Sequence, residues 1–194
     1  MSLLGDIIDR VLSPNQEIHV IPVLDGAFSP NQRLDQASQL GDEIERPDDI
    51  AFGLDGALYV STGNSILRCA GDNFSARTVF ATLDCPVGGV ACAPDGRLLA
   101  CVSGVGLGAR SPVGVPSGRL IACNSSFSSA SVRADGLAWP LGVVVSGDCQ
   151  EVWVAESWAH RLTAFSRAGD DSLVIVKNYT GYPARLARGS DDQI

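Results

Sequence analysis

The sequence has no long hydrophobic run. No stretch approaches the ~20 apolar residues of a membrane span, which excludes a spanning helix. Basic residues are scarce: 14 Lys and Arg stand against 22 Asp and Glu, for a net charge of −8. That balance leaves no electrostatic footprint for nucleic acid. It reads as a solvated acidic surface, or as a surface suited to a cationic ligand or a metal. The six cysteines (Cys69, Cys85, Cys92, Cys101, Cys123 and Cys149) form no C-x-x-C pair, so zinc-site spacing is absent. Most lie in apolar runs and are expected to be buried free thiols in a reducing compartment, one or two disulfides being the alternative. Histidine is limited to His19 and His160, and no G-x-S-x-G stretch occurs. A Ser-His-Asp triad is therefore short of bases. Long 3.6-residue periodicity is missing beyond the N-terminus, which argues against a helical fold. "GVGLGA" at 104–109 lacks the following helix and the final glycine spacing of a dinucleotide loop, and reads as a rim loop.

What is present is enough for one domain. The chain has 194 residues, 45% of them hydrophobic, which suits a globular core. Residues 1–16 form a separate arm. Leu3, Leu4, Ile7, Ile8, Val11 and Leu12 sit at helical spacing, with Asp6 and Asp9 among them. This predicts a short amphipathic helix rather than a signal peptide. A cytoplasmic location is the expectation, with periplasmic and membrane-peripheral placements as alternatives.

Residues 17–194 carry a repeat. "RPDDIAFGLDGALYVSTGNSILRC" from Arg46, "CPVGGVACAPDGRLLACVSG" from Cys85, "WPLGVVVSGDCQEVWVAESWAHRL" from Trp139 and "YPARLARGSDDQI" from Tyr182 each place a proline before a short apolar run. Where the chain continues, a turn and a second strand follow. The prolines Pro47, Pro86, Pro140 and Pro183 recur at intervals of about 40–55 residues, a length typical of propeller blades. Asp55-Gly56 and Asp95-Gly96 are hairpin-turn dipeptides. "ALYVS", "RLLACVS" and "EVWVAES" are β-branched and aromatic second strands. The expected fold is all-β, a β-propeller of four-stranded antiparallel blades near 47–82, 86–133 and 140–178, with a further blade starting over 183–194. Three to four blades do not close a ring by themselves. Two closures are expected as alternatives. In one the chain is part of a longer polypeptide, with Glu17–Leu24 completing the last blade. In the other a second copy closes a homo-oligomer.

The ordered series "ERPDDIAFGLDGALYVSTGNSILRC", "WPLGVVVSGDCQEVWVAESWAHRL" and "NYTGYPARLARG" resembles the strictosidine synthase-like proteins, within the superfamily of gluconolactonases, senescence-marker proteins and paraoxonases. The resemblance implies a six-bladed propeller with a small-molecule pocket at one mouth of its channel. In the metal-dependent relatives it implies a calcium or similar ion, held by acidic and amide side chains near the starts of inner strands and polarising a lactone or ester carbonyl. Of the matching positions here, Asp48 keeps a ligand type. Val87 is apolar, and Leu141 and Ala184 replace an asparagine and an acid. This favours the metal-free strictosidine synthase-like branch, with no cofactor expected and Ca2+ as the alternative. The glutamate acid/base that the resemblance implies falls beyond Ile194.

The expected function is therefore that of an enzyme acting on a small organic molecule, by acid/base condensation or by ester or lactone hydrolysis. A calcium-dependent lactonase using Asp48 and a non-catalytic ligand- or protein-binding propeller are the alternatives. Asp48 either faces the channel or caps a local turn, and its neighbour Asp49 points to the opposite side. Glu156 either faces the mouth or pairs with Arg161. Trp158 and His160 follow on a loop, where His160 could act as an acid/base. Asn64, Asn124 and Asn178 read as turn formers.

Overall fold

The computed structural model describes residues 32–39, 41–104, 115–124, 129–167 and 171–189. The helix expected over 1–16, the strand expected over 17–24, the 105–109 part of the glycine-rich loop and residues 190–194 lie outside the described residues. The chain divides into two compact units, Met1–Gln39 and Leu40–Ile194. In the first, the described segment contains a single 3₁₀ turn, Arg33–Gln36. The second unit holds the sheets.

Among the described residues, three four-stranded antiparallel sheets follow one another along the chain. The first is β1 (Pro47–Phe52), β2 (Leu58–Thr62), β3 (Ser65–Ala70) and β4 (Ala76–Thr82). The second is β5 (Val87–Cys92), β6 (Leu98–Val102), β7 (Gly118–Cys123) and β8 (Ala130–Leu137). The third is β9 (Pro140–Val145), β10 (Glu151–Glu156), β11 (Arg161–Ser166) and β12 (Ser172–Val176). Each sheet is a meander in sequence order, and β5 contacts both β1 and β9. The first strand of each sheet is thus innermost, and the sheets are blades of a propeller. Over Tyr182–Gly189 the described chain is irregular rather than a strand.

Two apolar cores hold the blades face to face. Tyr59, Ile66, Ala81, Val90, Leu98 and Ile121 join the first blade to the second. Leu99, Leu120, Val143, Val145, Val152 and Val154 join the second to the third. The turns between the first two strands of each blade repeat one device. Asp55 Oδ1 accepts from the Ala57 N–H at 3.2 Å, Asp95 Oδ1 from Arg97 N–H at 3.1 Å, and Asp148 Oδ1 from Gln150 N–H at 3.0 Å. The residue after each aspartate takes a left-handed φ: 74° at Gly56, 82° at Gly96 and 60° at Cys149. All six cysteines are free thiols. Burial pushes Cys92 and Cys123 up to about 11, with Asp55 adding to the effect at Cys92, and raises Cys101 further. No helix among the described residues is long and apolar enough to cross a membrane.

Candidate functional site

The rim where β1, β5 and β9 begin gathers Asp48, Asp49, Glu156, His160 and Arg185. At this rim β10 ends against β9, with Glu156 opposite Pro140, and β2 ends against β1, with Thr62 opposite Pro47. After β12 the chain returns to the same rim and runs beside β9. A Cβ on Gly142 would collide with the Ala184 carbonyl, so glycine is what lets the two backbones approach.

Two aromatic pairs mark the rim. The Trp139 and Trp158 rings stack with centroids 4.8 Å apart and 14° between planes. His160 and Tyr182 lie 4.6 Å apart at 39°. Trp158 is 47% exposed and Tyr182 69% exposed, so each pair offers one open face. Trp139 and His160 both have left-handed backbones, with φ of 55° and 50°. Non-glycine residues rarely adopt that conformation, and it recurs at functional sites. Hydrogen bonds pin both loops: Ser157 N–H donates to the Trp139 carbonyl at 3.1 Å, and Trp158 N–H to the Ala138 carbonyl at 3.2 Å. The Ser157 hydroxyl donates to the Pro183 carbonyl. His160 Nδ1 lies 2.8 Å from the Gly181 carbonyl oxygen. A carbonyl only accepts, so the ring's Nδ1 carries the proton and, in the neutral ring, Nε2 holds the lone pair.

Glu156 is fully buried beneath this platform. Its carboxylate accepts from Arg161 Nε at 2.7 Å and Nη2 at 2.9 Å, from the Thr163 hydroxyl at 2.6 Å and from Ala138 N–H at 2.9 Å. Burial pushes the carboxyl up. The Arg161, Ala138 and Thr163 hydrogen bonds outweigh it and hold the group below the usual carboxylate range. Glu156 is paired with Arg161 and ties the Trp139 loop to the third blade.

At the centre of the rim stands Arg185. Its guanidinium donates to the Asp48 carboxylate, to the Asp48 carbonyl at 3.0 Å and to the Leu141 carbonyl at 2.6 Å. Asp49 Oδ1 lies 3.8 Å from Arg185 Nε, while Asp49 Oδ2 accepts from Val90 N–H at 3.0 Å. Asp48 therefore pairs with Arg185, and Asp49 points toward β5 of the neighbouring blade. Leu141, Ala184 and the buried Val87 contribute no side-chain oxygen. These residues do not fit a calcium ion, which takes six to eight oxygens: two carboxylates are at hand, and a guanidinium bonds one of them. Among the described residues no three His, Cys, Asp or Glu side chains cluster as metal ligands. Arg185 is the site residue that sequence reasoning missed. Its signal was a positive charge next to Ala184, at a point where the resemblance implies an acid.

The asparagines behave as turn residues. Asn64 Nδ2 donates to the Leu83 carbonyl at 3.1 Å, Asn124 Oδ1 accepts from Ser129 N–H at 3.2 Å, and Asn178 has φ 57°. At the opposite rim a cleft of about 200 Å³ opens between the first two blades, lined by Leu54, Asp55, Tyr59, Phe80, Cys92 and Leu98. Its polar groups satisfy one another: Asp55 accepts from Tyr59 at 3.3 Å and from Arg68 at 2.8 Å. The first rim, with its open aromatic faces and a histidine, is the better candidate.

Comparison with known proteins agrees with this architecture. Residues 26–64, reaching through β1 and β2, match the family described as strictosidine synthase-like, N-terminal. No curated protein sequence matches the chain. Among solved structures, a gluconolactonase from Xanthomonas campestris is similar at 19% identity and a TM-score of 0.58, over 72% of this chain and 51% of that one. A streptogramin B lyase matches at 16% identity and a TM-score of 0.57, over 80% and 49%. A chain of a nidogen/laminin complex matches at 16% and 0.56, over 72% and 51%. These likenesses establish the fold. The chain spans about half the length of the solved structures it matches. The chain is a β-propeller whose residues 26–64 match the strictosidine synthase-like N-terminal family and whose fold is shared with a gluconolactonase.

Proposed function

We propose that the aromatic rim binds a small organic molecule with a flat apolar face, and that His160 exchanges a proton with it, in an enzyme of the strictosidine synthase-like kind. The observation that carries this reading is the pairing of open aromatic faces with a histidine whose backbone is held at φ 50°. A planar ligand stacking on Trp158 or Tyr182 gains about 0.5–1.5 kcal/mol per ring pair beyond area burial. With Nδ1–H engaged at Gly181, Nε2 is the atom that would take a proton from a nucleophile or return it to a leaving group. Condensation of an amine with an aldehyde and hydrolysis of an ester or lactone both need this proton transfer.

A panel of aromatic amines with aldehydes, aryl esters and lactones, run with wild type and His160→Gln, tests the enzyme. Turnover in one class that falls at least about 100-fold in the variant supports it. Equal rates in both proteins remove His160 from the mechanism. A second reading, a non-catalytic binding propeller, is favoured by one observation. Glu156, the other titratable candidate of the rim, has its carboxylate bonded to protein groups at both oxygens. Rim ligands that bind without turnover would select that reading.

A further inference from the structure

We propose that Arg185 is a built-in channel cation: its guanidinium fills an oxygen-lined position where these propellers would otherwise place a metal ion, and makes the mouth independent of metal. The argument rests on what converges there. Four oxygens face the guanidinium: the Asp48 carboxylate, the Asp48 carbonyl, the Leu141 carbonyl and, further off, Asp49 Oδ1. Two are carbonyls and two belong to carboxylates, the donor chemistry of a hard cation. They come from the starts of β1 and β9, and Arg185 reaches them from the segment running beside β9. A single side chain thus joins three inner positions of the ring. A bound cation would do the same.

Arginine is suited to this role where lysine is not. Its planar fork presents five donors, so it can bond several acceptors at once, and it stays charged at any physiological pH. The neighbouring substitutions agree with the exchange. Leu141 supplies only its backbone oxygen and Ala184 no side-chain oxygen, so the ligands lost from those positions are ones a guanidinium does not need.

The inference concerns the centre of the mouth and does not depend on which molecule stacks on the aromatic rim. Calcium titration without any organic ligand therefore tests it separately. Calorimetry and thermal melts are run with CaCl2 up to about 1 mM, the weak end of protein calcium sites. The proteins are wild type, Arg185→Ala, Asp48→Asn and the double variant. The expected result is no heat and no shift in Tm for wild type. Arg185→Ala should melt lower than wild type, regain part of that loss on adding calcium, and lose the calcium response when Asp48→Asn is added. Arg185→Lys should recover less than half of the lost stability. Calcium uptake by wild type that disappears in Asp48→Asn would overturn the inference. So would an Arg185→Ala protein that melts like wild type and ignores calcium. If Arg185→Ala does not fold, the wild-type and Asp48→Asn arms decide: uptake lost with Asp48 overturns it, and no uptake in wild type upholds it.

Discussion

At the scale of single residues the rim depends on a carboxylate bonded to protein groups at both oxygens. Glu156 could have been the acid of an active site. Instead it is sealed by Arg161, Thr163 and the Ala138 N–H, and through that last bond it sets the loop carrying Trp139. Arg161 is 37% exposed and water can solvate it, but the Thr163 hydroxyl and the Ala138 N–H would lose their acceptor, a loss of about 1–3 kcal/mol. Glu156→Ala should therefore lose about that much stability in urea melts and should also lose the near-UV circular dichroism of the stacked Trp139–Trp158 pair. Retention of that signal would show that the platform stands without its tie. The sequence offered Arg161 as a partner because it lies five residues on. It gave no sign of Thr163 or of the Ala138 amide, because both depend on how β10, β11 and the loop before β9 meet. Arg185 was hidden for the same reason: its acceptors lie up to 137 residues away.

At the scale of elements the turns were legible and the close approaches were not. Asp55-Gly56 and Asp95-Gly96 announce hairpins because Asp bonds the backbone two residues on and Gly takes a left-handed φ without a Cβ clash. "SGDCQ" keeps the Asp but puts Cys149 where the glycine belongs, at φ 60°. Left-handed backbone costs an L-residue about 1 kcal/mol. Cys149→Gly should thus leave the fold unchanged and raise its stability by a few tenths to about 1 kcal/mol in chemical denaturation. A loss of stability would mean the Cys149 side chain contributes more through the second core than its backbone costs. The inner strands follow a different rule. A Cβ on Gly89 would lie 2.5 Å from the Leu141 carbonyl oxygen, with backbone on every side and nothing flexible to yield. Gly89→Ala is expected to cost more than about 2 kcal/mol by forcing β5 away from β9. In the sequence Gly89 is one glycine among many, because its reason lies in the neighbouring blade.

At the scale of the whole molecule, polar bridges tie the blades together outside the cores. Asp95, in the first turn of the second blade, accepts from Arg97 at 2.6 Å and from Arg167 at the end of β11, also at 2.6 Å. The Arg97 hydrogen bond, with Arg167 assisting, holds its carboxyl far below the usual carboxylate range against a smaller opposing effect of burial. A depressed folded-state pKa stabilises fully above the unfolded value of about 3.9 and is lost as pH falls below it. Glu156 acts in the same sense. Tm should accordingly hold steady down to about pH 5 and fall steeply below pH 4, and Asp95→Asn should flatten that fall. An unchanged acid limb in Asp95→Asn would show that the bridge contributes nothing between blades. On the far side of the first blade, Ile50, Phe52 and Leu54 are 57%, 65% and 70% exposed. This apolar stripe alternates with Asp49 and Ala51, which face the second blade. The blade order and the repeat could be read from proline spacing and strand composition, since each blade is a local unit. Which rim gathers the aromatic pairs and Arg185 could not, because it is set by where segments from different blades converge.

The most direct test of the account is a ligand titration followed by the indole N–H signals of the three tryptophans in two-dimensional NMR. Trp139 and Trp158 stand on the rim. Trp153 donates to Glu151 at 2.8 Å on the third blade and serves as the internal control. The probes are phenethylamine, phenyl acetate and dihydrocoumarin, each with a flat apolar face. The account predicts that at least one shifts the Trp139 and Trp158 signals at millimolar concentration, leaves Trp153 in place, and no longer shifts Trp139 in Trp158→Ala. Three silent titrations, or shifts centred on Trp153, would contradict it.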